Sequence, residues 1–289
     1  DEHSINLSFP VLATIIKYPR SSSEGNKKDM SSVSYKKFGY FQSEVESFDI
    51  IINSLGMKIN NKVKRHPLVF LLEAADDIAY SVADIEDGCK KGLITLDVLK
   101  KKMYKHLDSS NPSEYEILST LENINVDPNY PQPLEVIASI FRIKIQNFMI
   151  DASTKAFINN HDKILAGDFD MDLLDMSEAE GLKKAFKELG EILYNCKEVL
   201  KLELTGDKII TVLLEELTKA ISSPKRNRKG SKEEKLYNLI SSNYRFLMEK
   251  YPDSDNKLYN ELRLVTDFIC GMTDSYALDL YRSITAINM

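Results

Sequence analysis

Apolar residues recur along most of the chain at intervals of three and four positions, which predicts α-helices. One strong segment begins at Pro67 and ends near Gly92, because proline suits a first helical turn and glycine suits a helix end. A second runs from Leu134 to Asn159. Further helices are expected over 7–17, 43–55, 95–106, 112–123, 177–194, 205–221, 231–250, 256–272 and 273–281. The sequence therefore predicts an all-α, multi-helix fold.

Two segments interrupt this helical pattern. Residues 199–204 alternate apolar and polar side chains as a strand would, but no neighbouring segment offers a partner, so we interpret them as short or irregular structure. Residues 127–133 contain three prolines and an asparagine, which are typical of a connector. We therefore expect two parts, residues 1–126 and residues 127–289.

Composition narrows the class of protein. Hydrophobic residues make up 43% and charged residues 28% of the chain, as in ordinary globular proteins. The net charge of −6 argues against nucleic-acid binding through overall charge, although local basic patches stay open. The widely spaced Cys89, Cys196 and Cys270 favour core thiols of a reduced, cytoplasmic protein. No apolar run approaches the roughly 18 residues of a membrane span, so no membrane partner is expected.

The helix predicted over 67–92 carries an unusual row of acids. Asp76, Tyr80 and Asp84 are four residues apart and therefore share one face. Three further acids flank this face: Glu73, Asp77 and Asp87. A solvated acidic face is the simplest interpretation. Because the polar stripe is narrow and the rest of the helix is apolar, we expect it to form one wall of a cavity.

The same helix carries a resemblance to a known family. The pattern Ala-Ala-Asp-Asp-Ile-x-Tyr-x-x-x-Asp over 74–84 resembles the helix that follows the metal-binding part of the dGTP triphosphohydrolase (dGTPase) family of HD-domain phosphohydrolases. The resemblance implies that Asp76 is the last carboxylate ligand of a divalent metal such as Mg²⁺ or Mn²⁺. It further implies that Tyr80 lies against the sugar of the nucleotide and that Asp84 is a nearby polar partner.

Two earlier segments resemble the same family in the same order. They are Leu-x-x-Ile-Ile-Lys-Tyr-Pro over 12–19 and Lys-Phe-Gly-Tyr-Phe-Gln-Ser-Glu over 37–44. The resemblance implies that Lys17, Tyr18 and Lys37 contact the triphosphate, with Lys36 as the alternative to Lys37. Lysine suits this role because its ammonium group offers a point charge and three donors. Taken alone, the Lys-Tyr-Pro sequence indicates only a helix end with a solvent-reaching lysine.

The metal ligands of the family are incomplete in this chain. The family holds its metal through a His, a His-Asp pair and a later Asp. The chain has four histidines: His3, His66, His106 and His161. None has matching neighbours, and we interpret His161-Asp162 as a surface pair. The resemblance therefore covers the C-terminal portion of the family, and the chain is either a fragment or a degenerate relative. The retained types and order of the site residues favour a fragment.

The resemblance implies an HD-domain-like helical bundle. Residues 1–126 would be the C-terminal part of the catalytic core, and residues 127–289 would pack on that core and contribute to oligomer contacts. The implied reaction is hydrolysis of dGTP or another dNTP to deoxynucleoside and tripolyphosphate by a metal-activated water. A dNTP effector and a homo-oligomer are implied as partners.

A second hypothesis is non-catalytic. The loop over 222–230 carries four cations: Lys225, Arg226, Arg228 and Lys229. They could bind phosphate groups of an effector nucleotide or of single-stranded DNA, which would make the chain a helical regulatory or assembly module. A solvated turn between helices is the simpler interpretation of this loop.

Overall fold

The computed structural model describes residues 6–24, 32–124, 126, 130, 133–250, 252 and 256–286. Within these ranges it contains thirteen α-helices and one two-stranded antiparallel sheet, which confirms the all-α prediction. The chain divides into two compact units, residues 1–196 and residues 197–289. In the described part of the chain, no helix combines the length and the apolar character that crossing a bilayer requires.

The first unit contains eight of these helices and the small sheet. In chain order they are α1 (Phe9–Ile15), α2 (Val45–Ser54), β1 (Lys58–Ile59), β2 (Lys62–Val63), α3 (Pro67–Lys90), α4 (Leu96–His106), α5 (Pro112–Asn123), α6 (Pro133–Asn159), α7 (His161–Leu165) and α8 (Glu180–Tyr194). Single 3₁₀ turns occur at Val33–Tyr35 and Gln42–Glu44.

Helix α3 is the central element of the first unit. Pro67 occupies its first turn, and Gly92, just beyond its end, has a φ of +69° that glycine adopts without strain. Its buried side, including Ile78 and Val82, packs against α6 in the largest apolar core. Because apolar burial is the main favourable contribution to folding, this packing fixes the opposite side of α3 toward solvent.

The second unit has its own helices and its own core. Its elements are α9 (Lys197–Ser222), a 3₁₀ turn (Pro224–Asn227), α10 (Lys232–Leu239), α11 (Ser242–Lys250), α12 (Lys257–Cys270) and α13 (Asp274–Thr285). Leu213 and Leu217 of α9 pack with Leu264 and Phe268 of α12 in one apolar cluster. All buried members of this cluster belong to residues 209–280.

The compact units differ from the two parts expected from the proline-rich connector. Most of residues 127–133 lies outside the described residues. The helix that follows, α6, packs on α3 within the first unit, and the division between units falls after Cys196. A proline-rich segment can thus join two helices of one core.

The interpretation of residues 199–204 as short or irregular structure is wrong, because they form part of α9. Leu202 and Leu204 are 72% and 71% exposed. Alternation predicts a strand only when every second side chain faces a core, and these leucines face solvent.

The expectation of three core thiols holds for one cysteine only. Cys89 is buried, Cys196 is half-buried and Cys270 is exposed, and all three are free. Burial raises the pKa of the Cys89 thiol to about 11, so this thiol stays protonated and unreactive near neutral pH.

Candidate functional site

The predicted metal ligand and sugar contact lie on the solvent-facing side of α3. Asp76 is exposed, and Tyr80, one turn further along, is 68% exposed. Leu68 and Leu72 continue the same line of residues four apart and are each 47% exposed. Among the described residues this face is an open surface, and its role as one wall of a cavity stays a prediction.

Asp76 has no side-chain partner among the described residues, unlike most of the acids near it on α3. No hydrogen bond or ion pair to its carboxylate occurs among the described residues. In contrast, Glu73, Asp77 and Glu86 of the same helix take part in ion pairs, and Asp84 accepts a hydrogen bond. The Asp76 carboxylate is thus free to accept a ligand.

One carboxylate does not make a metal site. In the part of the chain that the structure describes, no three His, Cys, Asp or Glu side chains come together in a way that could hold a metal ion. Divalent ions bound by proteins usually take three or more protein ligands. The described residues therefore do not fit a divalent ion by themselves.

Glu73 fixes the first predicted phosphate-binding lysine to α3. Its carboxylate lies 3.0 Å from Lys17 Nζ and 2.6 Å from Arg65 Nη1. Glu73 and Arg65 are 8% and 5% exposed, so two positive groups compensate one buried negative charge. Burial, the largest influence, lowers the pKa of Lys17, but the hydrogen bond and charge of Glu73 raise it overall. Lys17 is therefore held cationic beside α3.

Tyr18 lies against the same charged cluster. The centre of its ring is 5.8 Å from Lys17 Nζ and 5.7 Å from Arg65 Cζ. A cation within about 6 Å of an aromatic ring is attracted by the ring quadrupole. Lys17 and Tyr18 are thus both held near the first half of α3.

The segment that contains Lys37 runs beside the segment that contains Lys17. Gly39 N donates to Arg20 O at 3.0 Å. A Cβ atom on Gly39 would lie only 2.1 Å from Tyr18 O, so glycine is required for this close approach. Lys37 is exposed and Lys36 is half-buried at the edge of this contact. The structure therefore brings the segment that contains Lys17 and the segment that contains Lys37 together.

Asp84 is occupied by another helix. Its carboxylate accepts a hydrogen bond from the hydroxyl of Tyr194, at the end of α8, and this bond raises the pKa of Tyr194. To act as the predicted polar partner of the nucleotide, Asp84 must either bind it while keeping the hydrogen bond from Tyr194 or give up that bond.

Sequence reasoning missed a second charged cluster beside the predicted site. Lys183 Nζ of α8 lies 2.7 Å from Asp172, 3.0 Å from Asp175 and 3.6 Å from Asp77. Burial raises the pKa of Asp77, which is the residue after Asp76. Helical periodicity gives no signal for such a cluster, because Lys183 and Asp77 are far apart in the chain.

The basic loop of the second unit is partly used in the fold. Arg226 Nη1 lies 2.9 Å from a carboxylate oxygen of the buried Glu261 and donates to Ile221 O at 2.8 Å. Lys225, Arg228 and Lys229 are exposed. Arg226 therefore holds the loop, and three cations remain at the surface.

The surface dipeptide His161-Asp162 fits its interpretation as a solvent-facing pair. It opens the short helix α7, and the two side chains are 52% and 106% exposed. The distance between His161 Nδ1 and Asp162 Oδ1 is 3.5 Å.

Comparison with known proteins finds similar proteins along the whole chain. Residues 176–283 match the phosphohydrolase-associated domain. The whole chain is 35% identical to a deoxyguanosinetriphosphate triphosphohydrolase-like protein of Listeria monocytogenes, and it covers 62% of that protein. Over 99% of its length it is 28% identical to a protein of the same description from Synechocystis, of which it covers 61%. Over 98% of its length it is 27% identical to a probable deoxyguanosinetriphosphate triphosphohydrolase of Pseudomonas aeruginosa, of which it covers 63%.

The helical fold and these matches together define a chain of the phosphohydrolase class. The matches confirm the resemblance to the dGTPase family carried by the α3 sequence. The chain spans about three fifths of the length of the curated relatives that it matches.

Proposed function

We propose that this chain forms part of a hydrolase that converts dGTP or another dNTP to deoxynucleoside and tripolyphosphate. The observation that carries this proposal is the ion pair between Lys17 and the buried Glu73. It holds the Lys17 ammonium at Glu73 of α3, three residues before Asp76, whose carboxylate has no partner among the described residues. A cation and a free carboxylate at that spacing suit a ligand that carries both phosphates and a bound metal ion.

Lys17, Tyr18 and Lys37 bind the triphosphate in this proposal. The Lys17 ammonium group has three donors, of which the bond to Glu73 uses one. The Lys17 side chain is 38% exposed, so the other donors can reach a ligand. The positive charges offset the negative charge that gathers on the leaving tripolyphosphate.

The exposed face of α3 binds the rest of the nucleotide. Tyr80 lies against the deoxyribose and excludes a 2′-hydroxyl by crowding. Asp76 would supply one carboxylate ligand to a divalent ion. The described residues do not complete the set of ligands for that ion, and the chain's other residues in this proposal hold and orient the substrate.

The first test is Asp76→Asn in the full-length gene product. With Mg²⁺ or Mn²⁺ present, we expect tripolyphosphate release to fall by at least about 100-fold, because a bound metal contributes several kcal/mol to catalysis. Asp151→Asn, an exposed acid on α6, is the matched control and should keep full activity. Unchanged turnover in Asp76→Asn would remove the metal-ligand assignment.

The second test is Lys17→Ala. Charge-assisted hydrogen bonds contribute about 1.5–3 kcal/mol, so KM for the dNTP should rise about 10- to 100-fold. The buried Glu73 keeps Arg65 as its partner, so the fold should survive. Steady-state kinetics beside Lys187→Ala, an exposed lysine on α8, checks this, and unchanged KM and kcat would contradict the role of Lys17.

A second candidate function is binding of single-stranded DNA or an effector nucleotide by the basic loop. The exposure of Lys225, Arg228 and Lys229 favours it. Replacing the three by alanine should lower the salt dependence of DNA binding by about 2 in log–log slope, at about 0.7 per phosphate contact. An unchanged slope would exclude the loop. A homo-oligomer and a cytoplasmic location also belong to the proposal.

A further inference from the structure

A cleft of about 340 Å³ opens in the first unit beside the β1–β2 hairpin. The hairpin, the 3₁₀ turn Val33–Tyr35 and the segment after α7 form its walls. Its polar lining includes Ser34, Tyr35, Lys62, Lys64, Arg65 and Asp170. None of the residues assigned to the dNTP is among the described residues that line it. Its volume lies within the usual range of small-molecule sites, about 300–1,000 Å³.

The lining of this cleft is predominantly cationic. Lys62, Lys64 and Arg65 face one acid, Asp170. Asp170 is already engaged, because its Oδ1 accepts hydrogen bonds from Ser34 N at 3.0 Å and Ser34 Oγ at 2.6 Å. Among the described residues, neither Lys62 nor Lys64 has an ion-pair partner. Their charges are therefore available to an anion.

Two of the three cations are held in place by the fold. Gly167 has a φ of +71°, and a Cβ atom there would lie 2.7 Å from Lys64 Cγ. The stem of Lys64 thus lies directly against the glycine backbone. Arg65 is 5% exposed, and its Nε has no hydrogen-bond partner although Glu73 binds its terminal nitrogens.

We propose that this cleft binds an oligophosphate at a site separate from the proposed dNTP site. Clustered lysine and arginine groups suit adjacent phosphates, since lysine provides point charges and arginine provides directed donors. The oligophosphate can be free tripolyphosphate or the triphosphate of a nucleotide, which share the chemistry that the cleft recognises. The cleft proposal is independent of the proposed hydrolase activity.

Lysine acylation followed by peptide mass spectrometry tests the site directly. With tripolyphosphate at about ten times its Kd, acylation of Lys62 and Lys64 should slow about tenfold, because the free fraction falls by that factor. Lys58, an exposed lysine of β1 that does not line the cleft, is the matched control. Equal labelling of Lys62 and Lys64 with and without tripolyphosphate would overturn the proposal.

Labelling of Lys17 in the same samples separates the two sites. Protection of Lys17 without Lys62 and Lys64 overturns the cleft and leaves the proposed dNTP site standing. Protection of Lys62 and Lys64 without Lys17 supports the cleft and counts against the dNTP site. Protection by tripolyphosphate or by dGTP supports the oligophosphate assignment, whereas protection by deoxyguanosine alone overturns it.

A double variant, Lys62→Ala with Lys64→Ala, provides a binding measurement by calorimetry. We expect it to weaken tripolyphosphate binding at least about tenfold, while Lys58→Ala binds as the unmodified protein does. Circular dichroism verifies that both variants are folded. Equal affinities in the double variant and the Lys58→Ala control would contradict the proposal.

Discussion

At the scale of single residues, buried or clustered charges join segments that are distant in the chain. Glu73 connects Lys17 and Arg65, and Glu188 of α8 binds the end of α4. The sequence indicates that these residues are charged but not how they pair. The family resemblance predicts that Lys17 contacts the triphosphate, but the sequence does not predict its ion pair with Glu73. Ion pairs between residues that are distant in the chain have no sequence period, so only the folded backbone determines these partners.

Glu188 gives a residue-scale prediction about pH. Hydrogen bonds from Lys102, Lys105 and His106 lower the pKa of Glu188 from an ordinary value of 4.5 to about 2. A lowered folded-state pKa contributes stability above pH 4.5 that is lost as the pH falls toward 2. We therefore expect the free energy of unfolding to fall less steeply between pH 4.5 and 2 in Glu188→Gln than in the unmodified protein.

Urea unfolding at several pH values measures this slope. The control is Glu191→Gln, an exposed acid on the same helix, which should follow the unmodified protein throughout. Parallel curves for Glu188→Gln and the unmodified protein would show that Glu188 has no altered titration.

At the scale of helices, single proline and glycine residues predicted the limits of a helix better than hydrophobic periodicity did. Pro67 and Gly92 correctly bracket α3, because the fixed φ of proline suits a first helical turn and glycine adopts the positive φ beyond the helix end without strain. The start of α9 was missed because alternating leucines face solvent. Just before α2, the side chain of Glu44 accepts a hydrogen bond from Phe41 N at 2.7 Å. Helix starts depend on such single bonds, which neighbouring polar residues can make equally well.

The contact between α8 and α4 gives a prediction at the same scale. A Cβ atom on Gly181 would lie 2.6 Å from the carbonyl oxygen of His106. A backbone atom cannot move aside without moving its helix, so Gly181→Ala should destabilise the protein by about 1–3 kcal/mol. Gly206→Ala adds the same methyl group to α9 where nothing lies within 4 Å. It should stabilise its helix by up to about 1 kcal/mol.

Thermal unfolding followed by circular dichroism distinguishes the two glycine variants. Both variants replace a helical glycine by alanine, so a general effect of that replacement would change their stabilities in the same direction. Opposite changes therefore report the different surroundings of the two glycines. A stabilised Gly181→Ala protein would mean that α8 is not packed as closely on α4 as the structure has it.

At the scale of the whole molecule, the family match and the compact units divide the chain at different places. The phosphohydrolase-associated domain begins at residue 176, whereas the second unit begins at residue 197. Helix α8 lies between these limits, and its Leu182 and Leu189 are buried in the core of the first unit. A family match marks a segment that related proteins inherit together, whereas a compact unit is set by which side chains pack together. The start of the matched domain and the start of the second unit need not coincide.

The packing predicts how separate fragments behave. Because the buried cluster of the second unit lies entirely within residues 209–280, residues 197–289 should fold alone into a helical domain with cooperative thermal unfolding. Adding residues 176–196 should leave the midpoint unchanged, since α8 buries its apolar side chains in the other core. That longer fragment should also aggregate more readily, because Leu182 and Leu189 would face solvent. A folded 176–289 fragment beside an unfolded 197–289 fragment would show that α8 belongs to the second unit.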